Sequence, residues 1–132
     1  MRLSPPMRIS GLLTVGALLL VMGCDFGNKV CPSIVEPAVV VEVRNAATDA
    51  PEAQNADGIL VEGSYIDTMH VKTETKDGIP LALAGGMGRA GTYAILIEKT
   101  GFKTWMRAGV HVDDGTCGPE TETLTARIEP IE

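Results

Sequence analysis

The stretch Ala38-Val39-Val40-Val41-Glu42-Val43-Arg44 alternates at a period of two: Val39, Val41 and Val43 share one face, while Val40, Glu42 and Arg44 share the other. Successive side chains of an extended chain point to opposite sides, so this pattern buries one face of a strand and wets the other. Downstream, Asn45 to Asn55 breaks the alternation, and Thr48-Asp49-Ala50-Pro51 carries turn chemistry. An Asp carboxylate can bond its own backbone, and Pro51 restricts Ala50 and withholds a donor. Ile59 to Glu62 and Tyr65 to Thr75 supply the next apolar or β-branched segments, split by Gly63-Ser64 as a hairpin turn. Lys76-Asp77-Gly78 predicts another reversal, Leu81 to Ala84 a short apolar strand, and Gly85 to Gly91 a flexible connection. Tyr93, Ile95 and Ile97 then share a face. Gly101 ends that strand, Lys103 to Val112 forms the next, Asp113-Asp114-Gly115 turns the chain, and Leu124, Ala126 and Ile128 give a last alternating strand.

About seven short strands at regular spacing, with no amphipathic helical period among them, predict an all-β chain folded as an antiparallel β-sandwich over residues 37–132. Aromatic residues make up only 4% of the sequence, so the core falls to Val, Ile, Leu and Ala.

The segment ahead of this domain has the three parts of an export signal. Arg2 and Arg8 give a positive start, Gly11 to Met22 form an apolar run, and Gly23 is the small residue before a cut. The run is shorter than the roughly 20 apolar residues of a membrane span. Val21-Met22-Gly23-Cys24 resembles the lipobox of bacterial lipoproteins. That resemblance implies removal of residues 1–23, diacylation of the Cys24 thiol and acylation of its new amine, with 24–36 as lipidated N-terminus and linker. Met7-Arg8 also begins a complete signal, so Met1 and Met7 are alternative starts. One acyl chain anchors only marginally, and several make attachment effectively permanent. The expected location is therefore the bacterial cell membrane, facing the periplasm or the exterior. Asp25 after the lipidated cysteine resembles the inner-membrane retention signal of enterobacterial lipoproteins.

Loss of residues 1–23 removes two arginines and no acid, taking the formal net charge from −6 to −8 over 109 residues. An acidic surface repels phosphate backbones and anionic headgroups, so nucleic acid is not an expected partner and attachment falls to the acyl chains. With Cys24 committed to lipid, Cys31 and Cys117 are left as a pair in an oxidising compartment, and a disulfide between them is predicted. Two free thiols, or a metal pair awaiting a histidine, are the alternatives; neither cysteine has C-x-x-C spacing or a neighbouring His.

Val39-x-Val41-x-Val43 followed by Thr48-x-x-Pro51, then Gly91-Thr92-Tyr93 leading Ile95-x-Ile97, Gly101-Phe102 and Val110-x-Val112, resemble in their order the carboxypeptidase regulatory-like domains. These are small transthyretin-like sandwiches, of Ig-like architecture. The resemblance covers roughly Pro37 to Pro130, and Asp49-Ala50 stands where the family pattern has Gly before Pro. It implies a non-catalytic module for packing, spacing or adhesion, with no cofactor.

Sharper chemistry has few candidates. His70 and His111 could serve as a general base or as metal ligands, but neither has a local acidic array, and both read as solvent-facing strand residues. Gly85-Gly86-Met87-Gly88 lacks the Gly-Lys-Ser/Thr ending and following helix of a phosphate loop. Asp113-Asp114-Gly115 lacks the further oxygen ligands of a Ca²⁺ loop and reads as a plain turn. Ser10, Ser33 and Ser64 sit in no nucleophile elbow. Trp105, with Phe102 and Met106, reads as core or sheet edge, with a partner anchor as the alternative. Two functions follow: a lipid-anchored envelope module that binds a protein or glycan partner or acts as a spacer, and an envelope enzyme or enzyme subunit using His70 or His111.

Overall fold

The structure is a computed structural model that describes residues 30–132. The expected export signal of residues 1–23, Cys24 and Asp25 lie outside the described residues. The chain is all-β. Its strands are β1 (Val39–Asn45), β2 (Asp57–Glu62), β3 (Tyr65–Thr68), β4 (His70–Glu74), β5 (Pro80–Gly85), β6 (Gly91–Glu98), β7 (Trp105–Val112), β8 (Asp114–Gly115), β9 (Gly118–Pro119) and β10 (Glu122–Ile128). Two four-stranded sheets, ordered β10-β1-β5-β4 and β3-β2-β6-β7, form the sandwich, and β8-β9 is a small hairpin at one end.

The alternation in β1 does what its spacing dictates: Val39, Val41 and Val43 are fully buried. They meet Leu60 of β2, Tyr93, Ile95 and Ile97 of β6, Val110 and Val112 of β7, and Ala126 and Ile128 of β10 in one core. Among the described residues no buried side chain is polar or charged. Driving such a core together is the removal of apolar surface from water, worth about 2 kcal/mol for a side chain the size of Leu60.

Four features depart from the expected pattern. The sandwich is mainly antiparallel, but β1 and β10 pair in parallel, Val39 opposite Glu122 through Asn45 opposite Ile128. Both strands are entered from the same end, where the Thr121 hydroxyl donates to the Pro37 carbonyl at 2.6 Å and the Glu122 N–H to that of Ala38 at 2.9 Å. The segment Tyr65 to Thr75 is two strands in two sheets, because Met69 is buried and its N–H bonds the Gly58 carbonyl at 2.7 Å, turning the chain across the sandwich. Asp114 and Gly115 are strand residues of the β8-β9 hairpin, and the reversal falls on Thr116-Cys117, since Gly115 pairs with Gly118. The loop from Gly85 to Gly91 is tethered. Gly86 N–H donates to Asp67 Oδ2 at 2.8 Å, Gly88 N–H to the Glu36 carbonyl at 2.8 Å, and the Tyr93 hydroxyl to the Arg89 carbonyl.

The expected turns otherwise fall in place. Glu62 opposite Tyr65 leaves Gly63-Ser64 as a two-residue hairpin loop, with Gly63 at φ 57° in the left-handed region that glycine enters without cost. Gly78, in the reversal at Lys76-Asp77-Gly78, donates its N–H to the Thr75 carbonyl at 2.9 Å. At the other turn the capping side chain is Asn45, whose Oδ1 accepts the N–H groups of Ala47 and Thr48.

Cys31 and Cys117 form a disulfide across a sequence separation of 86, with their Cα atoms 5.1 Å apart. Cys31 precedes the sandwich and Cys117 lies between β8 and β9, so the bond closes β1 to β8 into one loop. Reducing a loop of that length restores denatured-state entropy worth about 4 to 5 kcal/mol in the chain-entropy model. The double variant Cys31→Ser/Cys117→Ser is expected to unfold at lower guanidinium concentration by that order, with an all-β circular dichroism spectrum retained in the absence of denaturant. A midpoint equal to that of the oxidised parent would show that the loop contributes nothing.

Candidate functional site

A concavity lies where the chain crosses between sheets. β3 and β4 are the open edges of their respective sheets, and Met69 between them fills the gap with its buried side chain. Beside this crossing a groove of about 420 Å³ is lined by Asp67, His70, Val71, Lys72, Ala84, Gly85 and Met87. Small residues make its floor. A Cβ at Gly85 would lie 2.9 Å from Leu60 Cδ1 and 3.1 Å from Met69 Cγ, so no larger residue fits there without movement of the core. Val71 and Met87, both about half exposed, give it apolar walls. Asp67 is held by its bond to Gly86 N–H, and Lys72 Nζ sits 3.7 Å from Glu36 Oε2. The volume is within the range of ligand pockets, but apolar walls rimmed by one acid, one imidazole and one amine suit an apolar side chain of an amphipathic segment.

Every backbone group of β4 on its outer side faces an open edge, and β4 is exposed along its whole length. Irregular register against β5 after Val71, with the charged Lys72 at the bulge, guards that stretch against edge-to-edge pairing, while His70 and Val71 in the groove keep regular register.

The two histidines occupy different sheets, His70 on β4 and His111 on β7, and both are exposed. His111 bonds on both sides: Nδ1 is 2.9 Å from the Thr92 hydroxyl and Nε2 is 2.9 Å from Asp113 Oδ1. This resembles the order of a hydroxyl, a base and an orienting acid. Thr92 and His111 are direct cross-strand partners on a solvated face, and β-strand register alone brings them together. His70 shares the groove with Asp67. Among the described residues no group of three His, Cys, Asp or Glu side chains could hold a metal ion.

Trp105 and Phe102 are half-buried against the core, while Met106 is exposed. Arg107 lies over the Trp105 ring at 5.3 Å, and Lys99 over Phe102 at 5.6 Å. At the groove end, Arg89 stacks over Tyr65 at 4.0 Å and pairs with Glu62 at 3.4 Å, while Tyr65 meets Tyr93 edge-on with ring centroids 6.3 Å apart. Burial raises the Tyr93 and Tyr65 phenols above their ordinary pKa, so both remain neutral donors.

Of the groove residues, His70 was a candidate in the sequence and Gly85 and Met87 belonged to the glycine-rich run read as a connection; Val71, Lys72 and Ala84 were not candidates. The available signal was the small pair Ala84-Gly85 opposite a buried methionine that interrupts a long β-branched run. No protein-family model matches the chain. No curated protein matches it either.

At the opposite end, Asp49 adopts φ 64° and pairs with Arg127 of β10 and, more distantly, Arg44 of β1. The hydrogen bond from Arg127 is the main cause that holds its carboxyl below the ordinary value, helped by the charges of Arg127 and Arg44 and opposed by desolvation. A carboxyl whose folded pKa is depressed stabilises above its unfolded pKa of about 3.9, and this contribution is lost as pH falls through the folded value. Asp49→Asn is therefore expected to narrow the stability difference between pH 6 and pH 3, measured by urea unfolding at each pH. An unchanged difference would show that the pair does not couple to folding.

Proposed function

We propose that this chain is a bacterial envelope lipoprotein, anchored through acylated Cys24, whose non-catalytic sandwich presents the β3–β4 groove to an extended segment of a partner protein. The observation that carries the binding half is the groove itself: a concave apolar surface with a floor of Ala84 and Gly85, between two open sheet edges. A peptide partner is favoured over a glycan because sugar rings are commonly stacked on exposed aromatic faces, and no aromatic side chain lines this groove. Apolar side chains flanked by hydrogen-bonding backbone are what an edge-strand groove recognises. The anchoring half rests on Val21-Met22-Gly23-Cys24, with Asp25 as the inner-membrane retention residue. The likeness to carboxypeptidase regulatory-like domains belongs to the same proposal, supported by the order of alternating strands and turns between Pro37 and Pro130. Exposed histidines in separate sheets, His111 already held by Thr92 and Asp113, favour binding over catalysis.

Anchoring is tested by feeding cells an alkynyl palmitate analogue and fractionating them. Wild type is expected to be labelled and sedimented with membranes; Cys24→Ala is expected to be unlabelled and soluble or retained as precursor. Labelling of Cys24→Ala would remove the proposal.

Binding is tested with a photocrosslinking residue placed at exposed Val71, in the groove, and at exposed Ile79, outside it. A defined adduct is expected from position 71 alone, lost when Met87→Glu adds a charge to the groove wall. Equal adducts at both positions, or an adduct indifferent to Met87→Glu, would exclude the groove as the binding surface.

A further inference from the structure

Residues 30–35, Val30-Cys31-Pro32-Ser33-Ile34-Val35, carry no charge in an acidic chain. Val30 is 88% exposed, Ile34 72% and Val35 57%. Apolar residues this exposed commonly fray or fold inward, yet here the segment is fixed at both ends. Cys31 is bonded to Cys117 of the β8-β9 turn. On the other side the Glu36 carbonyl accepts the Gly88 N–H at 2.8 Å, and the Ala38 N–H donates to the Gly86 carbonyl at 3.0 Å. Val35 packs on this loop, its Cγ1 3.1 Å from where a Gly88 Cβ would stand, next to exposed Met87. The result is an apolar strap held outside the core across one end of the sandwich. Lys72 is paired with Glu36 and Arg89 with Glu62, whereas Asp114 and Glu120 beside Cys117 are in no ion pair among the described residues.

We infer that this strap, with Met87 beside it, is a lipid-contact face that seats the sandwich on the bilayer surface in one orientation. The inference rests on the acylation of Cys24 proposed above. Six residues, 24–29, separate that anchor from Val30. Fully extended they reach about 20 Å, less than the roughly 26 Å length of the eight-residue strand β6. The end that carries the strap is thus held toward the membrane, and the far end, with the turn at Ile79, is held away from it. An uncharged strap whose basic neighbours Lys72 and Arg89 are already paired suits a zwitterionic interface, where apolar side chains are drawn below the headgroups and no basic patch is needed. Orientation by the strap also places the groove mouth at Met87 next to the bilayer, so the segment it accepts belongs to a membrane protein close to its point of exit from the lipid.

The experiment uses the acylated chain reconstituted in phosphatidylcholine vesicles with brominated acyl chains, which quench tryptophan at short range. Trp105→Phe removes the native fluorophore, and Ile34→Trp or Ile79→Trp supplies one reporter at each end; both positions are exposed. Emission from Ile34→Trp is expected to be largely lost relative to vesicles without bromine, and that from Ile79→Trp to be retained. Flotation of the same vesicles reports anchoring independently. Protein that floats with both reporters equally bright, or equally quenched, overturns the oriented contact while leaving anchoring intact. Protein that does not float overturns the anchor and the contact together.

Discussion

β1 is the strand on which the packing of both sheets depends. It lies between β10 and β5 in its own sheet, and the side chains of Val39, Val41 and Val43 project from it into the other. A one-residue slip would place Val40, Glu42 and Arg44 in the core, and no partner for a buried carboxylate or guanidinium exists there. The same strand holds the two ends of the domain together. Pairing with β10 joins the two ends of the domain, which the Cys31–Cys117 disulfide already holds close.

What the residues revealed in advance follows from the range of the interactions involved. Alternation is local, so β1, β6 and β10 are visible in Val39 to Val43, Tyr93 to Ile97 and Leu124 to Ile128. Turn chemistry is local as well, and Gly63-Ser64 and Lys76-Asp77-Gly78 mark real reversals. Strand partners are not local. Parallel pairing of β1 with β10 leaves no trace in either segment's pattern, and the sheet change at Met69 occurs inside an unbroken period of two, with Tyr65, Asp67 and Met69 still facing inward. The Asp113-Asp114-Gly115 turn failed because the same residue types suit a short hairpin strand once Gly118 lies opposite Gly115.

The groove was hidden for a related reason. Its lining comes from β3, β4, β5 and the loop after β5, brought together only by the crossing of the chain between sheets. No single segment carries its signature. His70 stands out as a titratable type and Gly85 as part of a glycine-rich run, whereas Ala84, which helps create the space by being small, carries no signal. The tethered loop shows the same principle in reverse: its glycines read as freedom, but their close approach to Asp67, Glu36 and Ala38 uses the absence of a side chain to hold the backbone in place.

The disulfide acquires a mechanical meaning from the direction of the strands it joins. Tension applied through the residues before Val30 divides at Cys31, one branch passing along the backbone into the start of β1 and the other through Cys117 into the start of β10. Because those strands run in parallel and in register, both are drawn the same way at the same point, and their hydrogen-bonded ladder is not sheared. The sandwich hangs from a two-legged bridle. Cutting one leg by reduction would transfer the full pull to β1 alone and set it sliding against its neighbour.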